Sequence, residues 1–135
     1  MNICHKLILC VDDDEDDLSM LREALNREGD TYHIIVAFDG VHALELLQQI
    51  KQSHQQLPCL VILDINMPRM DGRETLSALQ RDSELSTIPV VLYSTSSSVS
   101  DVSFSTTNKV KLIKKPATVT GIHMAASQML EYCKA

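Results

Sequence analysis

The chain has 135 residues, 44% of them hydrophobic and 22% charged, enough for one domain over 1–135 that buries about 68–70% of its unfolded surface, and too apolar to be disordered. Eighteen Asp and Glu against twelve Lys and Arg leave a formal charge of -6, which disfavours a nucleic-acid surface, since binding a phosphate backbone needs a net basic face, and so argues for no nucleic acid among its partners. No apolar run reaches the ~18–20 residues of a membrane span, and residues 1–6 are too short and polar to lead a secretory signal, so a cytoplasmic location and no membrane contact are expected.

The first predicted strand covers residues 7–11 and ends directly in Asp12, Asp13, Asp14, Glu15, Asp16 and Asp17. Leu18, Leu21 and Leu25 then recur at i, i+3 and i+7, a helix stopped at Gly29. Residues 34–37 form the second strand. Val41, Leu44, Leu47 and Ile50 share one face of a second helix, with Gly40 just ahead of it. The third strand, Leu60–Leu63, follows Pro58 and ends in Asp64, Ile65, Asn66, Met67, Pro68, Arg69, Met70, Asp71 and Gly72. Leu76 and Leu79 mark a third helix, bounded by Gly72 and the polar stretch 82–87.

Residues 90–93 follow Pro89 and end in Ser94, Thr95 and Ser96. In the next stretch Val99, Val102 and Phe104 stand among serines and threonines, whose hydroxyls compete with helical hydrogen bonding. A short, frayed helix or a mobile loop is expected there. Residues 110–113 carry Lys111 and precede Lys114, Lys115 and Pro116, which reads as an edge strand. Ile122, Ala126, Met129, Leu130 and Cys133 form a last helical stripe.

Short Ile, Val and Leu runs alternating with helical stripes argue for an α/β fold: a doubly wound, five-stranded parallel sheet with helices on both faces. Ligands of such sheets bind beyond the carboxyl ends of the strands. There the pattern brings carboxylates, the Ser94 hydroxyl and the Lys115 ammonium together. An oxygen-only donor set without His or Cys suits a hard divalent ion, Mg2+ before Mn2+ or Ca2+, and such a site handles phosphoryl groups. Asp can then act as the nucleophile, while a Lys opposite it neutralises charge on the transferred group.

Each residue also has a plainer reading. Asp14–Asp17 read more simply as first-turn charges that complement the helix dipole, and Lys115 alone would pass for a surface Lys. Asp64 has no helix start or turn to serve, and the joint arrangement favours a functional cluster. Cys4, Cys10, Cys59 and Cys133 show no CxxC or metal-ligand spacing, so reduced core thiols are expected.

The segments Leu9-Cys10-Val11-Asp12-Asp13-Asp14, Ala37-Phe38-Asp39-Gly40, Leu63-Asp64-Ile65-Asn66-Met67-Pro68-Arg69-Met70-Asp71-Gly72 and Lys114-Lys115-Pro116 together resemble the receiver domain of bacterial two-component response regulators, the CheY-like family. The resemblance covers nearly the whole chain. It implies strand order 2-1-3-4-5, which the doubly wound CheY fold exemplifies. It implies that Asp64 accepts a phosphoryl group from a sensor histidine kinase or phosphotransfer protein, with Mg2+ as cofactor. Asp13, Asp64 and the backbone carbonyl of Asn66 would ligate that metal, and Asp12 would act through water; a strand ending one residue later would put Asp14 in the place of Asp13. Ser94 would reach a phosphoryl oxygen, Lys115 would pair with the phosphoryl group, and a cis bond before Pro116 would aim Lys115. The side chains of Asn66 and Ser96 fall where the family tunes its self-dephosphorylation.

The chain departs from the family pattern in three places: Leu112 stands where an aromatic residue is usual, Thr107 and Asn108 replace a Gly-Ala pair, and the stretch from Ser94 to Lys115 is about one residue short. All three fall on the face that in the family meets partners. The leading expectation is a stand-alone receiver without an output domain, signalling by binding an unknown downstream protein or passing the phosphate on, and not a true enzyme. The alternative is a phosphorylation-independent pseudo-receiver that serves as an interaction module. A hydrolase of the haloacid-dehalogenase kind would need an acid two residues past Asp64, where this chain has Asn66.

Overall fold

In the computed structural model, which describes residues 6–28, 32–67, 69–95 and 98–133, the apolar runs become β1 (Lys6–Val11), β2 (Tyr32–Ala37), β3 (Leu60–Leu63), β4 (Val90–Ser94) and β5 (Lys111–Lys114). They pair in one parallel sheet of order β2-β1-β3-β4-β5, as expected. The register sets the site: Val11 lies beside both Ala37 and Leu63, and Leu63 beside Leu92. The residues that follow β1 and β3, Asp12 and Asp64, therefore leave the sheet at the same level. Gly29, Pro68 and Ser96 lie outside the described residues, as does Cys4.

Alternation along the strands splits the core in two. Ile8, Cys10, Ile34, Ile62, Val91 and Tyr93 face α1 (Glu15–Arg27) and α5 (Val119–Leu130). Leu9, Val11, Val61, Leu63 and Leu92 face α2 (Gly40–Gln52) and α3 (Gly72–Arg81). All four residues of β3 are buried, as the middle strand of a covered parallel sheet should be. The edge strand β5 leaves Lys111 and Lys114 exposed and buries Ile113.

Each α-helix among the described residues starts at a side-chain cap. Asp14 accepts from the N–H groups of Asp16 and Asp17, Asp39 from His42, Asp71 from Glu74, Ser98 from Asp101 and Thr118 from Gly121. Each cap satisfies a donor that the helix leaves over, and removing one typically costs about 1 kcal/mol. The His42 N–H, helped by the Arg69 guanidinium, holds the Asp39 carboxyl below its usual range.

Four expectations need correction. The face that α2 buries is Gly40, Ala43 and Leu47, while Val41, Leu44 and Ile50 are only half-buried, because the small residues are the ones that approach the sheet closely. The stretch after β4 is an ordered helix, α4 (Val99–Thr107). Its hydroxyls do compete as anticipated, with Ser105 and Thr106 both donating to the Val102 carbonyl, but Asp101 and Ser105 are buried and anchor it. Cys59 and Cys133 are joined in a disulfide, their Cα atoms 5.0 Å apart and within ordinary disulfide range, so only Cys10 among the described cysteines is a free, buried thiol. No peptide bond among the described residues is cis. The Lys115–Pro116 bond keeps the trans form that X–Pro bonds favour by about 0.5–1 kcal/mol, and Lys115 reaches the acidic residues without isomerisation.

Candidate functional site

Asp12 and Asp64 stand at the carboxyl ends of two central strands. The Asp12 N–H donates to the carbonyl of Ala37 at 3.1 Å, and the Asp64 N–H to that of Val11 at 2.9 Å, so the sheet ladder continues one residue past each strand. Both side chains are buried, while Asp13 is exposed. The carboxylates of Asp12, Asp13 and Asp64 offer oxygens that all lie within 4.8 Å of one another. β1 ends at Val11 and Asp14 is the α1 cap, so Asp13, not Asp14, belongs to this cluster. The floor beneath is lined by Cys10, Leu18, Leu21, Ile62 and Tyr93.

That apolar floor shapes the electrostatics. Burial first, and the charge of Asp12 second, push the Asp64 carboxyl up to about 6, against the opposing charge of Lys115. Two adjacent buried carboxylates on such a floor need a cation, and Lys115 supplies one. Its Nζ lies 2.6 Å from Asp12 Oδ2, 2.8 Å from Asp17 Oδ2 and 3.6 Å from Asp64 Oδ2. Burial disfavours its charged form, yet the hydrogen bonds to Asp12 and Asp17 and the charge of Asp64 outweigh that penalty and raise its pKa. The ammonium also sits 5.8 Å from the centre of the Tyr93 ring, whose phenol is pushed up to about 12 mainly by burial.

The remaining candidates surround this cluster. Ser94, the last residue of β4, is fully buried, and its carbonyl accepts the Lys115 N–H at 2.7 Å. The strand end thereby fixes where the Lys115 side chain begins. Asn66 is exposed, and its N–H donates to Asp64 Oδ1 at 3.3 Å. The loop after Asp64 folds back tightly: the Gly72 N–H donates to the Ile65 carbonyl at 2.8 Å, and a Cβ at position 72 would lie 2.3 Å from the Asp64 carbonyl oxygen. Only glycine lets α3 start so close to the Asp64 backbone. Arg69, in the left-handed region at φ 63, is held by its ion pair to Asp39, with Nε 2.9 Å from Oδ2.

Two features escape sequence reading. Asp17 serves the start of α1, as its position suggests, but its carboxylate also binds Lys115. Arg73, at the start of α3, pairs with the buried Asp101 of α4 at 2.7 Å, hydrogen-bonds Ser100 and lies 5.2 Å from the Phe104 ring. The donor set of Asp12, Asp13 and Asp64 is all oxygen, partly buried and lies around one point, and it fits a hard divalent cation.

Comparison with known proteins identifies a family and a shared fold. The model of the response regulator receiver domain matches residues 8–127. Response regulator Rcp1 of Synechocystis sp. (strain ATCC 27184 / PCC 6803 / Kazusa) is 36% identical over 98 residues, spanning 72% of this chain and 67% of Rcp1. The phosphorylated cyanobacterial phytochrome response regulator RcpA superposes with a TM-score of 0.85 at 32% identity, over 95% of this chain and 93% of its own. The Mn2+-bound form of Rcp1 gives a TM-score of 0.81 at 30% identity, over 93% and 92% of the two chains.

Proposed function

Because the chain belongs to the response regulator receiver domain family, we propose that it takes a phosphoryl group from a sensor histidine kinase or a phosphotransfer protein onto Asp64. The observation that carries this reading is the cluster itself: the carboxylates of Asp12, Asp13 and Asp64 lie within 4.8 Å of one another, with the Lys115 ammonium 3.6 Å from Asp64. Since the similar RcpA is a phytochrome response regulator, a phytochrome-type kinase is the first candidate donor. The receiver would then signal to a further protein in the cytoplasm, with neither nucleic acid nor membrane as its direct partner. A Cys59–Cys133 disulfide is unusual for that compartment.

In this mechanism Asp64 attacks the phosphorus of a phosphohistidine, the P–N bond breaks with its electrons going to the imidazole, and an acyl phosphate remains on Asp64. Asp13, Asp64 and the Asn66 backbone carbonyl would hold Mg2+, with Asp12 acting through a water. When bound, the ion offsets the negative charge that the buried carboxylates and the phosphoryl oxygens gather in one place. Lys115 neutralises a phosphoryl oxygen from the opposite side, and the Ser94 hydroxyl donates to another. Asn66, two residues past Asp64, bears no acid, so water is activated poorly and the acyl phosphate persists long enough to signal.

Incubation with Mg2+ and acetyl phosphate, read by intact-mass spectrometry, is expected to add one phosphoryl group to the wild type and none to Asp64→Asn. An equal yield on the variant would remove Asp64 from its role.

A further inference from the structure

The acidic cluster and Lys115 compete for the same oxygens. Asp12 Oδ2 is both the shortest partner of the Lys115 ammonium, at 2.6 Å, and part of the triad that can clasp a divalent cation. Two cations cannot both take full advantage of Asp12 and Asp64. Asp17 differs from its neighbours here. It contacts Lys115 Nζ at 2.8 Å but is not among the clustered carboxylates. It is also fixed in place, because its own N–H donates to Asp14 Oδ1 at 3.1 Å in the first turn of α1. The side chain of Lys115 is only 9% exposed, so an ammonium displaced from Asp12 needs another anion nearby.

We propose that Asp17 is a positioning residue that takes the Lys115 ammonium when Asp13 and Asp64 hold a divalent cation and Asp12 turns to a water on that ion, and so sets the affinity of the acidic cluster for Mg2+. This rests on the receiver reading above and deepens it. Without Asp17 the ammonium has only Asp12 and Asp64 to pair with, and metal must displace it from both. With Asp17 present, Lys115 swings toward α1 and keeps a partner. Asp16, one residue earlier, carries the same charge in the same exposed turn, and its N–H makes the same kind of bond to Asp14, but it makes no contact with Lys115 among the hydrogen bonds and ion pairs of the described residues.

The test is calorimetric titration of Mg2+ into the unphosphorylated protein. Asp17→Asn is expected to weaken Mg2+ binding about fivefold and Asp16→Asn no more than about twofold, the latter being the cost of losing one screened charge. Asp17→Glu restores most of the affinity. In a Lys115→Met background the two Asn variants become equivalent, since no ammonium is left to relocate. Equal weakening by Asp17→Asn and Asp16→Asn in the presence of Lys115, or an Asp17→Asn effect that survives in the Lys115→Met background, would overturn the proposal while leaving the receiver reading standing. A wild type that binds no Mg2+ would overturn both.

Discussion

Asp64 carries the clearest consequence of local environment. Its carboxyl is pushed up to about 6 by burial and by Asp12, above the ordinary ~3.9 of an unfolded chain. The native state therefore binds the proton more tightly than the unfolded state, and ionised Asp64 costs stability at pH values above 6. Below about pH 4 both states are protonated and the cost disappears. In metal-free buffer, Asp64→Asn is expected to stabilise the protein by on the order of 1–2 kcal/mol at pH 8 and by almost nothing at pH 4. Urea denaturation at the two pH values checks this, and a gain independent of pH would show that the site imposes no such penalty. Asp64 was legible in the sequence because a carboxylate directly behind a fully apolar strand has no structural errand there. Asp17 was not legible, since an acid in a first helical turn is already explained by the dipole. Its second partner lies 98 residues away, a distance that no local pattern reports.

At the scale of elements, α4 is held by its neighbour more than by its own sequence. Its serines and threonines bond back to the backbone, and the pair between Arg73 and the buried Asp101, with Phe104 beneath the guanidinium, ties its first turns to α3. This explains why a composition that reads as frayed yields an ordered helix: the stabilising partner belongs to another element. Arg73→Ala is expected to cost about 1–3 kcal/mol, since it leaves the Asp101 charge poorly compensated in a buried place. Hydrogen exchange should show the loss concentrated in the α4 amides, with α1 and α5 little changed. Uniform loss across all helices would mean that the pair supports the whole fold instead. The strands, by contrast, were legible almost to the residue, because five branched apolar runs in a covered parallel sheet leave few other arrangements. The largest strand revision extends β2 to start at Tyr32. Its edge position leaves the first residues half-exposed and polar enough to hide from an apolar pattern.

For the molecule as a whole, the Cys59–Cys133 bond joins positions 74 residues apart and restricts the unfolded chain correspondingly. The chain-entropy account assigns about 4 kcal/mol to closing a loop of this size. Reduction with a thiol reagent is expected to lower the melting temperature by roughly 10 °C, followed by circular dichroism with and without reductant. A melting curve indifferent to reductant, or four titratable thiols in the unreduced, denatured protein, would show that the bond does not form in solution. No spacing of the cysteines announces this pair. It follows from tertiary proximity, Cys59 preceding β3 and Cys133 closing the turn after α5.

That closure also orients the molecule for anyone who wishes to hold it. Cys133 is pinned beneath the amino ends of the strands, where the Lys6 ammonium donates to its carbonyl and the Cys59 N–H donates to Leu7, whereas the carboxylates open at the other pole. A surface tether or fluorophore attached at the exposed Tyr132 beside Cys133 would therefore leave from the underside, presenting the acidic crevice outward to any incoming phosphodonor.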